Sequence, residues 1–330
     1  MKMTMKQATN KKTVRQAFDE FLFIKNNSNL SVDTINDYKN IFSFFINFYG
    51  ENSYCKDINE DTIQNYIAYL KAKPKKLNNT KKQEGITKYL SSATIATYIR
   101  HLRAVLNFFM DKGYTDRFKV KLPRVDKEVK EAYSPSELEN LLKKPNLKTC
   151  SFSEYRNWVM TNYFLSTANR LATVANIKIC DLNFEEEEIY LSKVKNRKRY
   201  TIPMQKELKK ILIEYLSYRK GSPEDYLFCS ERDDKKPLTR RSIETAIARY
   251  NLKRGVTKTS VHIYRNTFAK HWILSGGDII RLQKILGHSN LDMVLEYVDM
   301  YGKDLQLNFN TYNPLTVYSK GDSISLKNRK

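Results

Sequence analysis

Residues 261–300, "VHIYRNTFAKHWILSGGDIIRLQKILGHSNLDMVLEYVDM", hold three of the four histidines of a 330-residue chain. His262 and Arg265 stand three apart, so on a helix they share a face near its N-terminus, where the macrodipole favours a bound anion. His288 follows Gly287 at the end of the next helical pattern, and Tyr297 lies nine residues further on. Cations, a switchable proton carrier and a phenol gathered at one place suit an anionic oxygen substrate. A phosphodiester is the obvious one.

The composition agrees. The chain carries 58 Lys and Arg against 36 Asp and Glu, a formal charge of +22, and 41% of its residues are hydrophobic. Such a chain folds, and a surplus of that size faces a polyanion, with duplex nucleic acid as the leading partner. The bland alternative is a Lys-rich surface that is merely solvated. Cys55, Cys150, Cys180 and Cys229 form no CxxC pair and have no histidine cluster nearby, which suggests neither a zinc site nor a disulfide framework. No apolar run approaches the roughly 18 residues of a membrane span, and the start "MKMTMKQATNKK" lacks the apolar core of a signal peptide, so a cytoplasmic protein is expected.

Two blocks of elements must position the candidate residues. From Thr13 to Tyr114 the apolar residues recur at three and four, which predicts an all-helical domain whose helices open at caps such as Ser31 and Asn59. The charged segment 117–133 carries Pro123 and lacks sustained periodicity, which marks a linker. Ser134, Pro135 and Glu137 then write a capping box with proline at the first helical position. Beyond it, helices are expected over 155–168, 170–178, 205–219, 240–253, 262–275, 278–286 and 291–300, with strands over 188–192 and 200–204 forming a hairpin. The expected class is mainly α: a helical domain over 1–116, the linker, an α+β domain over 134–302 with a small antiparallel sheet, and a tail over 303–330.

The pattern His-x-x-Arg, then Leu-Gly-His, then a tyrosine nine positions on resembles the C-terminal signature of the tyrosine recombinases, the phage integrases and Xer-type resolvases. The turn "STANRLATVANIKICDL" supplies the upstream arginine of that family as Arg170, and Lys195, seven residues before Ile202-Pro203, stands where the family carries a hairpin lysine. The N-terminal block resembles the family's core-binding, SAM-like domain, mainly in "ATYIRHLRAVLNFFMDKGY". Three positions depart from the pattern: Ala168 replaces a glycine, Thr173 an acidic residue and Asn266 a frequent histidine.

The resemblance implies a site-specific DNA recombinase, an integrase, transposase or resolvase, that cleaves and rejoins strands through a 3'-phosphotyrosyl link in a tetramer holding two double-stranded sites. The tail would dock on a neighbouring subunit. The link stores the bond energy, so neither a cofactor nor a metal is implied. Attack on a phosphodiester builds charge on the nonbridging oxygens, which Arg170 and Arg265 would meet with bidentate guanidiniums. A phenol with an ordinary pKa near 10 must lose its proton to act as nucleophile, a task assigned to His262 for Tyr297. Lys195, or Lys193 because the loop register is open, would return a proton to the leaving 5' oxygen. His288 would bond the phosphate and help seat the tyrosine's helix. A type IB-like topoisomerase and a DNA-binding protein with an inactive site remain as alternatives.

Overall fold

The computed structural model describes residues 12–74, 89–125, 130–191, 200–231, 235–288 and 290–301. It divides into two compact units, Met1–Glu128 and Val129–Lys330.

The first unit is helical among the described residues: α1 (Val14–Asn26), α2 (Val32–Tyr49), α3 (Glu60–Ala72) and α4 (Ser92–Asp111). Thr13, Ser31, Asn59 and Ser91 each accept a backbone N–H from the third residue beyond, so all four helices start where a short oxygen side chain satisfies an orphan donor. Their apolar faces meet in an aromatic core in which the Phe18 and Phe42 rings stack at 3.9 Å and Phe21, Phe45, Tyr66 and Phe109 are buried. His101 bonds the Thr97 carbonyl at 2.9 Å and lies against the Tyr38 ring, a packing position without chemistry.

The second unit opens with α5 (Pro135–Leu142), whose Ser134–Glu137 capping box closes in both directions. It continues with α6 (Phe152–Thr167), α7 (Leu171–Val174), β1 (Leu182–Asn183), β2 (Glu188–Leu191), β3 (Tyr200–Pro203), α8 (Lys206–Arg219), α9 (Arg240–Lys253), α10 (His262–Leu274), α11 (Ile279–Leu286) and α12 (Asp292–Tyr301). The strands form an antiparallel sheet in the order β1-β2-β3, with Leu182 opposite Ile189 and Ile189 opposite Ile202. Ile189, Leu191 and Ile202 turn into a core built around Tyr155, Trp158, Val159, Tyr163 and Phe164 of α6.

Two elements differ from expectation. The helix expected over 170–178 stops at Val174. Beyond it the backbone pairs with residues 223–227 instead: Leu227 N–H donates to the Ile177 carbonyl at 2.9 Å and Ile179 N–H to the Asp225 carbonyl at 3.0 Å. β-branched residues such as Thr173, Val174, Ile177 and Ile179 are weak helix formers, so tertiary pairing wins there. Strand β1 is only two residues long and carries too little alternation to be read from sequence. Among the described residues no helix is long and apolar enough to cross a membrane.

A smaller core lies apart from the main one. Ala168, Ala269, Ile273, Leu282, Leu286, Val294 and Tyr297 form it, so the α6–α7 turn, α10, α11 and α12 are bound together around one tyrosine.

Candidate active site

Helix ends place Arg170, His262, Arg265 and His288, and the body of α12 places Tyr297. α6 ends at Ala168, which adopts φ 51° and turns the chain so that Arg170 stands at the start of α7. A left-handed residue with a Cβ costs about 1–2 kcal/mol. Burial of its methyl returns roughly 0.8 kcal/mol. The carbonyl of the same residue does the rest, because it accepts Arg265 Nη1 at 2.7 Å. The alanine at this position is thus tolerated by burial and by a charge-assisted bond.

Arg265, one turn into α10, is buried. Besides Ala168 it donates from Nη2 to the Leu286 carbonyl and to His288 Nε2, at 2.7 and 2.6 Å. Arg170 Nη1 reaches the Gly287 carbonyl at 3.3 Å, while Asp181, a conceivable partner for Arg170, accepts the Lys178 backbone N–H instead. Two guanidiniums therefore converge on the C-terminal turn of α11, and neither faces a carboxylate among the described residues. Burial first, and then the nearby Arg170 charge, push the Arg265 guanidinium down to about 10. A buried guanidinium beside a half-buried one, with no carboxylate partner among the described residues, is a site for an anion.

Gly287 makes this convergence possible. Its φ is +60°, and a Cβ there would stand 2.8 Å from Tyr200 Oη. Tyr200, at the head of β3, thus touches the turn that carries His288. Burial raises its phenol while the Arg265 and Arg170 charges oppose the rise. Sequence reading passed over this residue because only the folded hairpin brings it here.

His288 is buried, and burial together with the Arg265 and Arg170 charges holds its imidazole down at about 4. A guanidinium can only donate, so Nε2 accepts and the ring proton sits on Nδ1. That Nδ1 is buried without an acceptor among the described residues. A neutral His288 keeps an N–H ready for a ligand oxygen. One consequence concerns stability: an unfolded histidine takes up a proton below about pH 6.5, and the folded one refuses it until about pH 4. His288→Gln should therefore flatten the acid side of the stability profile. The unaltered chain should lose at most about 3 kcal/mol between these pH values through this group, and urea titrations at several pH values would show it. Identical acid slopes in the two chains would refute the assignment.

Tyr297 is 5% exposed and its hydroxyl donates to Asn266 Oδ1 at 2.9 Å. Burial raises its phenol and the Arg265 charge works against the rise, which places the oxygen within the field of the guanidinium pair. Tyr301 is the last residue of α12, and its side chain lies outside the described residues. His262 is exposed and lines a pocket of about 380 Å³ together with Arg265, Asn169 and Arg249, and no hydrogen bond joins its side chain to a described residue. The structure therefore brings Arg170, Arg265, His288 and Tyr297 together directly, and His262 to a pocket that Arg265 also lines. Lys193, Lys195 and the tail over 303–330 lie outside the described residues. His271 is exposed, whereas Trp272 stacks on Phe268 and donates to the Asp278 carbonyl at 2.9 Å, a packing role. Three participants had no signal of their own in the sequence: Tyr200, Asn266 as the partner of the phenol, and Lys130, whose ammonium lies 4.0 Å from the centre of the Tyr297 ring.

A helical unit followed by an α+β unit in which arginines, a histidine and a tyrosine converge defines the integrase class of fold and site. The chain matches the phage integrase family over residues 132–303 and the phage integrase SAM-like domain over 13–126, and it belongs to the phage integrase family. Similar curated proteins are a tyrosine recombinase of Pseudothermotoga lettingae, 26% identical over 280 residues covering 83% of this chain and 90% of the relative, and the tyrosine recombinase XerA of Pyrococcus horikoshii, 26% identical with 76% of this chain and 92% of the relative covered. Among solved structures, the Tn1549 transposon integrase in complex with circular intermediate DNA shares the fold at a TM-score of 0.70 and 18% identity, over 86% of this chain and 94% of that one. A lambda integrase dimer bound to a core site shares it at 0.68 and 14% identity, over 96% of this chain and all (100%) of that one.

Proposed function

We propose that the chain is a site-specific DNA recombinase that cleaves and rejoins duplex strands through a 3'-phosphotyrosyl intermediate on Tyr297. The observation that carries this reading is the guanidinium pair, Arg170 and Arg265, which faces no carboxylate among the described residues, set beside a His288 N–H with no acceptor among them and a buried phenol. Such a set meets a phosphodiester: the fixed cations take the charge that grows on the nonbridging oxygens, and His288 Nδ1–H bonds one of them. His262, four residues before Asn266 and so on the same side of α10, receives the phenol's proton. Lys195, with Lys193 as the other choice, protonates the leaving 5' oxygen. The partner is double-stranded DNA in the cytoplasm, the working assembly a tetramer on two sites, and the domains run over 1–116, 134–302 and the tail 303–330, with a linker over 117–133.

The test is covalent capture. A pool of nicked duplexes with randomised sequence is incubated with the full chain, and protein–DNA adducts are recovered on denaturing gels. Adducts should form equally well in chelator, because fixed guanidiniums carry the charge. Loss of cleavage in EDTA with recovery in magnesium would point to a metal nuclease. Relaxation of a supercoiled plasmid without strand exchange would favour the topoisomerase alternative, and no adduct at all the inactive binding protein. Affinity should also fall by roughly 0.9 log units per neutralised phosphate for each tenfold rise in salt. A flat salt response would remove the polyanion from the account.

A further inference from the structure

Asn266 uses its amide at both ends. Nδ2 donates to the Glu131 carbonyl at 3.0 Å, and Oδ1 accepts the Tyr297 hydroxyl proton at 2.9 Å. A backbone carbonyl can only accept, so a flipped amide would set two acceptors against each other at Glu131, and the oxygen end is fixed toward the phenol. The phenol has one proton. With that proton directed at Asn266, its lone pairs remain for the side on which Arg265 acts. The residue before Glu131 grips the same element: Lys130 Nζ bonds Glu296 on α12 at 2.8 Å and covers the neighbouring Tyr297 ring. The short stretch 130–131 thus holds α12 at a carboxylate, at a ring face and, through Asn266, at the hydroxyl. An amide is no base, so the role open to Asn266 is to aim the oxygen rather than to remove its proton.

We propose that Asn266 is a positioning residue for strand cleavage, a relay from the Glu131 carbonyl that sets the Tyr297 oxygen with a lone pair facing a phosphate held at Arg170 and Arg265. This rests on Tyr297 being the nucleophile. A merely structural asparagine would support helix packing, and any residue that packed equally well could replace it. A relay needs one donor and one acceptor. Neutral imidazole has both, whereas imidazolium has no acceptor and alanine has neither.

The experiment uses the full chain and a nicked duplex recovered by covalent trapping from the randomised pool, with single-turnover adduct formation followed from about pH 5.5 to 8.5, the range in which an imidazole titrates. Asn266→Ala should slow adduct formation on the order of tenfold to a hundredfold, as expected for a misplaced reacting atom, at unchanged affinity for the duplex. Asn266→His should run close to the parent above about pH 7, and its rate relative to the parent should fall as the pH drops through about 6.5 and the ring loses its acceptor. The relay is overturned if Asn266→Ala reacts at the parental rate, if Asn266→His is as slow as Asn266→Ala at every pH, or if the loss lies in affinity rather than rate. If the parent traps no DNA, or if Tyr297→Phe still traps it, the nucleophile assignment itself fails and the relay falls with it. A normal Tyr297 adduct in Asn266→Ala sinks the relay alone.

Discussion

Tyr297→Phe removes one oxygen and should abolish the covalent protein–DNA adduct on a nicked suicide duplex. The ring belongs to the small core of Ala168, Ala269, Leu282, Leu286 and Val294, and phenylalanine keeps that burial. What is lost is the bond to Asn266 Oδ1, a contribution of about 1 kcal/mol, so folding and DNA affinity should survive. The competing nucleophile is Tyr301, one turn later at the end of α12. Tyr301→Phe should leave the adduct in place. Tyr297 is favoured because Asn266 fixes its hydroxyl and its ring shares a core with Ala168 and Leu286, whose carbonyls hold Arg265. Mapping the adduct peptide by mass spectrometry would decide between them. An adduct at Tyr301, or one that persists in both variants, would mean that the site has been assigned to the wrong part of α12.

How much of this could be read in the sequence depends on how local the causes are. Ser31, Asn59 and the Ser134–Glu137 box announce helix starts because each cap acts on a backbone N–H three residues away. The face shared by His262 and Arg265 follows from helical spacing alone, and the distance from His288 singles out Tyr297 as the proposed nucleophile. The end of α7 was not legible, because the backbone of residues 177–180 pairs with residues 223–227, far along the chain. Nor was the holder of the phenol: Asn266 and Tyr297 are separated by 31 residues, and Lys130 and Glu296 by 166. The asparagine at position 266 departs from the family pattern, and only the fold shows its amide facing Tyr297. The proposed catalytic lysine, Lys195 or Lys193, rests on spacing to Ile202-Pro203, and both lysines lie outside the described residues.

Arg265→Lys should bind DNA about as well as the unaltered chain and should cleave it at a rate lower by on the order of a hundredfold to a thousandfold. The charge is conserved and so, to first order, is the attraction to phosphate. The fork is not conserved. Arg265 holds three acceptors, the carbonyls of Ala168 and Leu286 and His288 Nε2, from two nitrogens set in one plane. An ammonium is a point charge without the planar fork and cannot span them. At least one buried acceptor then loses its partner, at about 1–3 kcal/mol each, so the variant should also melt at a lower temperature. That loss must be separated from the chemical one by assaying cleavage well below the melting transition. Two further effects add to the missing donor. Without the Arg265 bond the His288 ring is free to turn or to change tautomer, so its N–H no longer has a fixed aim. The Arg265 guanidinium that opposes the raised pKa of the Tyr297 phenol is also replaced by an ammonium held at a different place. Both act on the transition state rather than on binding, which is why rate and affinity should part company. A variant that cleaves within tenfold of the parent while fully folded would show that the guanidinium pair is structural, and the phosphate would then have to be met elsewhere.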